Sequence, residues 1–328
     1  MKVLIVGAGG FIGGFIAKEA LSRGYETWCG VRESTSRRYL TDPALKFITL
    51  DYDKPETLKE QLEGHHWDYI VYNLGATKCV NFLDFNNINY TYLRNFVEAI
   101  TINEQIPEKF IYMSSLSAIG PGDEKNYTPL RNDGVPAPNT RYGLSKIKAE
   151  TLLQTLPATF PWIILRPTGV YGPHEKDYLM MIKSIDAHFD FGVGFRKQML
   201  TFIYVEDLAR AIFDALERAP IHHKYIISEP RAYTQSEFRK IVAAELGRKL
   251  VIPIRLPLWA LYIACKVSEK YGAAKMQATT LNSDKYNIMA QRNWSCDISE
   301  AQRDFGFAPK VSLTEGIHLT VEAYRKDK

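Results

Sequence analysis

The chain opens on Lys2-Val-Leu-Ile-Val6, runs at once into Gly7-Ala-Gly-Gly-Phe-Ile-Gly13, and continues as an apolar-periodic stretch to Ser22. A β-branched run emptying into a glycine-rich turn and then a helix leaves few folds open. The next strand returns beside the first by a right-handed crossover, which makes a parallel pair. Glycine allows the tight turn and removes the Cβ that would hold the backbone away from a pyrophosphate, whose charge meets the free N–H groups of the helix N-terminus. The same residues could serve only as a structural turn. Their place between a strand and a helix favours dinucleotide binding through Gly7, Gly10, Phe11, Ile12 and Gly13. One lysine before an apolar stretch also imitates a secretion signal, but the glycine spacing and the lack of a small-residue cleavage site favour strand, turn and helix.

The alternation continues. YETWCGV, LKFITL, YIVYNL, KFIYMSS and WIILRP read as strands, with helices predicted over Phe11 to Ser22 and Thr91 to Ile102. This predicts an α/β, doubly wound, mostly parallel sheet. Beyond Pro173 the rhythm loosens into a helix near Tyr178 to His188, a strand LTFIYV, a helix from Asp207 to Arg218 and a strand KYIIS. The expected division is a Rossmann domain of residues 1–166 and about 197–227, with a smaller substrate-binding portion from about 167–196 and 228–328.

Composition narrows the chemistry. A length of 328 residues with 46% hydrophobic content supports a full core, and a net charge of +4, from 41 basic and 37 acidic residues, is too even to argue for nucleic acid. There is no run of eighteen apolar residues to span a membrane, and the four cysteines form no CxxC pair, which suits reduced thiols in a cytoplasmic protein. The adjacent pairs His65-His66 and His222-His223 diverge on any regular element, so no metal is expected. Met180-Met181 reads as core, and Trp294-Ser-Cys296-Asp297 as packing or a turn.

Where an acidic residue would hold the adenosine ribose of NAD, about twenty positions after the glycines, stands Arg32, followed by Glu33, Ser34, Arg37 and Arg38. Arginine suits a 2′-phosphate, so NADP(H) is favoured; Glu33 keeps NAD(H) open, and a merely solvated loop is the alternative. Tyr142 and Lys146 stand at i and i+4, on one face of a predicted helix, where a cation beside a phenol favours the phenolate. An ordinary helix start with a half-buried tyrosine is the other reading. Ser114 and Ser115 follow the strand KFIYM, at the sheet edge where ligands bind in such folds, so serine, tyrosine and lysine are expected to form one site.

With these motifs in order, the sequence resembles the extended short-chain dehydrogenase/reductases of the NAD(P)-dependent epimerase/dehydratase superfamily. The resemblance runs over nearly the whole chain and includes Asp51-Tyr52, NLGAT at 73–77, SSLSAIG at 114–120, YGLSK at 142–146, RPTGVYGP at 166–173 and FIYVEDLA at 202–209. It implies Tyr142 as catalytic acid/base, Lys146 binding the nicotinamide ribose while lowering the tyrosine pKa, and Ser115 orienting a substrate carbonyl. It further implies cofactor contacts at Asp51, Tyr52, Leu74, Gly75, Ala76, Pro167, Gly169 and Val170. A homodimer through the helices near Thr91 to Ile102 and Tyr142 to Leu153 is implied in the same way.

The departures bear on substrate. NLGAT replaces the family's HLAA, and Leu116 follows the serine where similar sugar dehydratases carry an aspartate and then a glutamate, which disfavours dehydration. Gly169 stands where nucleotide-sugar enzymes of the family carry a diphosphate-binding asparagine, and Leu200 where an arginine is usual. A diphosphate buried without donors is costly, so the pocket is expected to take a less charged molecule. RPTGVYGP and the tail resemble the 3β-hydroxysteroid dehydrogenase-like branch. The apolar segment Ile254 to Cys265, with Trp259, Tyr262 and Lys266, suits a substrate tunnel, peripheral membrane contact or a core helix. The expected activity is NADP(H)-dependent interconversion of a ketone and a secondary alcohol on a sterol-like or sphingoid-type lipid. The alternatives are a nucleotide-sugar 4-epimerase or reductase, kept open by Arg196, Lys197 and Arg255, and a non-catalytic NADP(H)-binding regulator.

Overall fold

The computed structural model describes residues 1–275, 277 and 279–326. In chain order the strands are β1 (Lys2–Val6), β2 (Glu26–Val31), β3 (Lys46–Thr49), β4 (Tyr69–Tyr72), β5 (Lys109–Met113), β6 (Trp162–Pro167), β7 (Gly169–Tyr171), β8 (Phe189–Val193), β9 (Met199–Leu200), β10 (Phe202–Tyr204), β11 (His223–Ile227), β12 (Tyr233–Thr234) and β13 (Ile252–Leu256). The α-helices are α1 (Phe11–Ser22), α2 (Pro55–Leu62), α3 (Phe82–Asn86), α4 (Tyr92–Ile102), α5 (Arg141–Gln154), α6 (Lys176–Asp186), α7 (Val205–Arg218), α8 (Gln235–Glu245), α9 (Leu258–Ala274), α10 (Ser283–Ala290), α11 (Ser299–Phe305) and α12 (Leu313–Lys326).

Seven strands form one sheet in the order β11-β6-β5-β4-β1-β2-β3, every pair parallel. Every residue of β4 and β6 is buried, as both-face coverage by helices demands. Helices α1, α7 and α11 cover one face and α2, α4 and α5 the other. The chain order reverses between β1 and β4, so the crevice outside their C-terminal ends is the expected ligand site. Gly7, just past β1, has φ +82°, and a Cβ there would lie 2.8 Å from the Leu74 backbone just past β4. Glycine is therefore what lets the two loops meet at the crevice.

A second cluster, from Tyr171, Ile182, Phe202, Tyr233, Phe238, Leu313 and their neighbours, lies under the C-terminal portion, and a small third one joins Val193, Leu261 and Cys265. LTFIYV, expected as one strand, breaks at Thr201: β9 pairs antiparallel with β12 and β10 parallel with β7. The Thr201 hydroxyl donates to the Trp294 carbonyl (2.7 Å) at that break. The apolar segment 254–265 is likewise two elements, split at Pro257 into the end of β13 and the start of α9.

Candidate active site

Three elements bring the predicted serine, tyrosine and lysine together. Ser115 follows β5 and caps a short 3₁₀ turn, its Oγ accepting from the Ser117 N–H (3.2 Å). Tyr142 lies in the first turn of α5, whose N-cap Thr140 accepts from the Gly143 N–H. The Tyr142 phenol is hydrogen-bonded to Ser115; burial pushes its pKa up to about 12 and the serine draws it down. Lys146 is buried one turn on, its Nζ donating to the Met113 carbonyl (2.7 Å) and lying 4.8 Å from the Tyr112 ring centre and 6.0 Å from that of Tyr142. Burial brings the Lys146 pKa down to about 7, with Glu150 pulling the other way. In the protein alone, desolvation thus outweighs the mutual help expected of a phenol and an ammonium.

Two buried networks hold this arrangement, and motif reading missed both. Between α3 and α4 the helix widens into one π turn, Asn87–Thr91, as helices often do at functional sites. Its Asn89 is fully buried. The side chain accepts from the Ala76 N–H (2.8 Å) and donates to the Ala76 carbonyl (3.1 Å) and to Ser145 Oγ (2.8 Å), whose hydroxyl donates to the Tyr142 carbonyl. This ties the loop after β4 to α5. The second network is Arg166 on Glu150, bidentate at 3.0 and 2.5 Å and fully buried, with Ser114 donating to the same carboxylate. Ser114, adjacent to the predicted catalytic serine, is thereby a framework residue. Asp284 of α10 accepts from the N–H groups of Arg141 and Tyr142, both at 3.1 Å, and Glu269 of α9 pairs with Arg141.

The residues predicted to hold a cofactor fall partly around the crevice and partly in the packing behind it. Gly10 caps α1 without a side chain, and a Cβ there would meet nothing nearer than the Gly7 carbonyl at 3.7 Å, so the N–H groups of Phe11 and Ile12 open toward clear space. A Cβ on Gly13 would strike the Ala8 carbonyl at 2.4 Å, which fixes the close approach of α1 to β1. These residues fit a dinucleotide pyrophosphate. Leu74 and Ala76 are half-buried and Gly75 exposed beside Lys146, whose Nζ would lie 3.0 Å from a Cβ at 75. Asp51 is half-buried at the end of β3, whereas Tyr52 is core, stacked on Tyr92 at 5.6 Å. Arg32 is exposed and its charge reaches Tyr52 and Tyr92. Ser34 is exposed; Arg37 stacks on Phe47 (4.2 Å) and Arg38 on Tyr39 (4.4 Å). Pro167 is buried at the end of β6, and Val170 is half-buried in β7.

On the substrate side, Gly169 has a clear physical reason. A Cβ there would lie 2.0 Å from the Tyr178 hydroxyl oxygen, so the phenol of α6 fills the place of a side chain at 169. Tyr178 packs edge-on against Tyr171 and Phe202 and tilted against Phe238. Nothing in RPTGVYG signals this, because the filler comes from another element. Arg255 is committed to buried Asp190 and Arg196 pairs with Glu124, while Lys197 lies over the Tyr127 ring. Arg292, not singled out by the sequence, is buried and donates to the carbonyls of Ala290, Val193 and Met289. His65 stacks on Trp67, and His222 bonds the Phe160 carbonyl. Met181 packs on the second cluster, whereas Met180, expected as core, is exposed at the surface of α6; the backbones of Cys296 and Leu130 form an isolated parallel β-bridge.

A doubly wound sheet with a glycine-rich turn at its switch point, and a serine, tyrosine and lysine beside it, defines a nicotinamide-dinucleotide oxidoreductase scaffold. The chain belongs to the NAD dependent epimerase/dehydratase family, whose profile matches residues 3–228, and is an enzyme of the extended short-chain dehydrogenase/reductase type. It is similar to a ceramide reductase of Caulobacter vibrioides, 24% identical, with 98% of this chain and 94% of that protein covered. It is also similar to a decarboxylating sterol-4-alpha-carboxylate 3-dehydrogenase of Dictyostelium discoideum, 21% identical, with 96% and 98% covered. Among solved structures, the Thermus thermophilus UDP-glucose 4-epimerase in complex with NAD shares the fold at TM-score 0.79 and 20% identity, with 99% of each chain covered.

Proposed function

We propose that the protein is an NADP(H)-dependent reductase that interconverts a ketone and a secondary alcohol on a hydrophobic, sterol-like or sphingoid-type lipid, with residues 1–166 and about 197–227 holding the cofactor and the remainder the substrate. The observation that carries this reading is Gly169: the place of the diphosphate-binding asparagine is filled by a phenol within an aromatic cluster. The similar ceramide and sterol enzymes support it. Arg32, exposed near the adenosine end of the crevice, supports NADP(H) over NAD(H).

A nicotinamide cofactor, when bound, supplies or accepts the hydride. Ser115, whose Oγ already accepts from Ser117, directs its own proton to the substrate oxygen or the phenol. Tyr142, its pKa near 12, carries a proton at neutral pH and gives it up as negative charge develops on that oxygen. Lys146 keeps donors free beside Gly75 to bind a ribose and to stabilise the phenolate left behind. Helices α4 and α5 are the proposed homodimer faces.

The test is NADPH oxidation by the purified protein with keto-sphingoid and sterol ketone substrates, against NADH in parallel. No turnover of any lipid ketone, with turnover of a sugar nucleotide, overturns the reading. Arg292 favours that second activity, a nucleotide-sugar epimerase or reductase. It is a buried guanidinium whose hydrogen bonds go only to carbonyls, a ready counter-charge for a diphosphate. Thermal stabilisation by UDP-, GDP- or dTDP-sugars checks it.

A further inference from the structure

Among the described residues, twelve of the 21 large hydrophobic side chains left exposed fall within Phe189–Phe195 and Leu250–Tyr271. So unequal a distribution marks an interaction surface. On α9, Trp259, Ile263, Val267 and Tyr271 stand four residues apart, so they form one stripe along the helix, and they are 69%, 53%, 63% and 61% exposed. The opposite side of α9 is committed: Leu261 and Cys265 are buried against Val193. The paired strands β8 and β13 continue the surface. Ile252 stands opposite Phe189, and Leu256 opposite Val193, so these side chains share a face on which Phe189, Phe191, Ile252 and Leu256 are exposed. At the tip beyond β8, Phe195 is exposed beside Arg196 and Lys197.

Charge identifies the occupant. The exposed positions of α9 and its C-terminal edge carry Lys266, Lys270 and Lys275. The one acid of the helix, Glu269, is engaged by Arg141, Ser283 and Lys266, which leaves Lys270 and Lys275, among the described residues, as the exposed lysines with no carboxylate partner on α9. Aromatic and branched apolar side chains interleaved with lysines, without a free carboxylate, match the headgroup boundary of an anionic bilayer. At 17 residues, α9 is too short to cross one, and no described helix is long and apolar enough to do so.

We infer that α9, with the apolar face of β8 and β13, is a docking surface for an anionic lipid membrane. The helix lies in the interface with Trp259, Ile263, Val267 and Tyr271 down and the lysines at headgroup level. Glu269, on the same helix, is paired with the residue beside Tyr142, so docking brings the candidate active site to the bilayer edge. This goes beyond the proposed reduction and does not require it.

The test is flotation of the full-length protein with phosphatidylcholine vesicles, with and without phosphatidylglycerol, in the absence of substrate and cofactor. Binding is expected to anionic vesicles only, and to weaken with salt. The pair Ile263→Glu and Val267→Glu, on exposed positions, is expected to abolish it with the melting temperature unchanged. The pair Lys270→Glu and Lys275→Glu is expected to weaken it by at least ~20-fold, since each lysine near such a surface contributes roughly five-fold. Val135→Glu, an exposed apolar site elsewhere, is expected to leave it intact. Failure of the parent protein to float overturns the inference. So does full binding by the Ile263/Val267 variant, or a finding by sedimentation velocity that those substitutions dissolve a dimer, which would assign the surface to a second copy. Because flotation reads no turnover, its failure leaves the lipid-reductase reading to its own assay.

Discussion

Gly169→Ala is the smallest change that tests how the pocket beside the site is filled. The new methyl carbon would stand 2.0 Å from the Tyr178 hydroxyl oxygen and 3.1 Å from Cζ, with the Thr201 carbonyl in ordinary contact at 3.4 Å. Contact with the hydroxyl would therefore require a shift of more than an ångström. Tyr178 cannot swing aside cheaply, because its ring is packed against Tyr171, Phe202 and Phe238. Nor can β7 retreat, since Gly169 is in register with Phe202 of β10. Overpacking of this kind costs about 1–3 kcal/mol. Tyr178→Phe removes the offending oxygen, leaving the nearest atom at 3.1 Å, which needs only a few tenths of an ångström of adjustment. The double substitution is therefore expected to recover most of the loss, with a coupling energy of about 1–2 kcal/mol read from a urea-denaturation cycle. A neutral Gly169→Ala, or a loss that Tyr178→Phe leaves unchanged, would refute the packing argument and the substrate reading built on it.

Glu150→Ala strands the buried Arg166 guanidinium and is expected to cost about 3–5 kcal/mol in denaturation, whereas Glu150→Leu with Arg166→Met together should be far milder; equal losses would contradict this. Tyr142→Phe should abolish turnover while nucleotide fluorescence titration shows near-parental cofactor binding. Lys146, near pH 7 in the fold against an ordinary value of 10.5, binds fewer protons folded than unfolded across that interval. Its contribution to stability therefore rises with pH from about 7 to 10, and Lys146→Met should remove that slope from melting curves taken without cofactor. Asp284→Asn keeps the shape but weakens acceptance from the Tyr142 N–H; kcat is expected to fall several-fold with cofactor affinity unchanged, and a change in affinity alone would rule out a role in placing the tyrosine.

The parallel core was legible because its signals are local. KVLIV followed by glycines, and the unbroken apolar run Trp162-Ile-Ile-Leu165, each specify a buried strand without reference to the rest of the chain. The C-terminal portion was less so. LTFIYV has one continuous β pattern, yet the break at Thr201 is set by a carbonyl 93 residues away at Trp294. In the same way Ile254 to Cys265 reads as one apolar segment, while Pro257 and the pairing of β13 with β8 divide it.

The site divides along the same line. Ser115, Tyr142 and Lys146 could be named because a hydroxyl at a strand end and a four-residue spacing on a helix are local features. Asn89, Glu150, Asp284 and Tyr178 could not, although each touches the site or its supports, because their roles exist only across elements: Asn89 joins the loop at Ala76 to Ser145, and Tyr178 answers Gly169. The lysine also shows that a motif gives proximity but not the balance of terms. Desolvation, which the spacing does not report, carries Lys146 down to about 7 and Tyr142 up to about 12. The local motifs are thus short, while the packing around Gly169 is distributed over side chains from β7, β10, α6 and α8. On the proposed lipid-reductase reading, a change of substrate within this scaffold calls for compensated changes at packed pairs such as Gly169 and Tyr178, rather than replacement of a single residue.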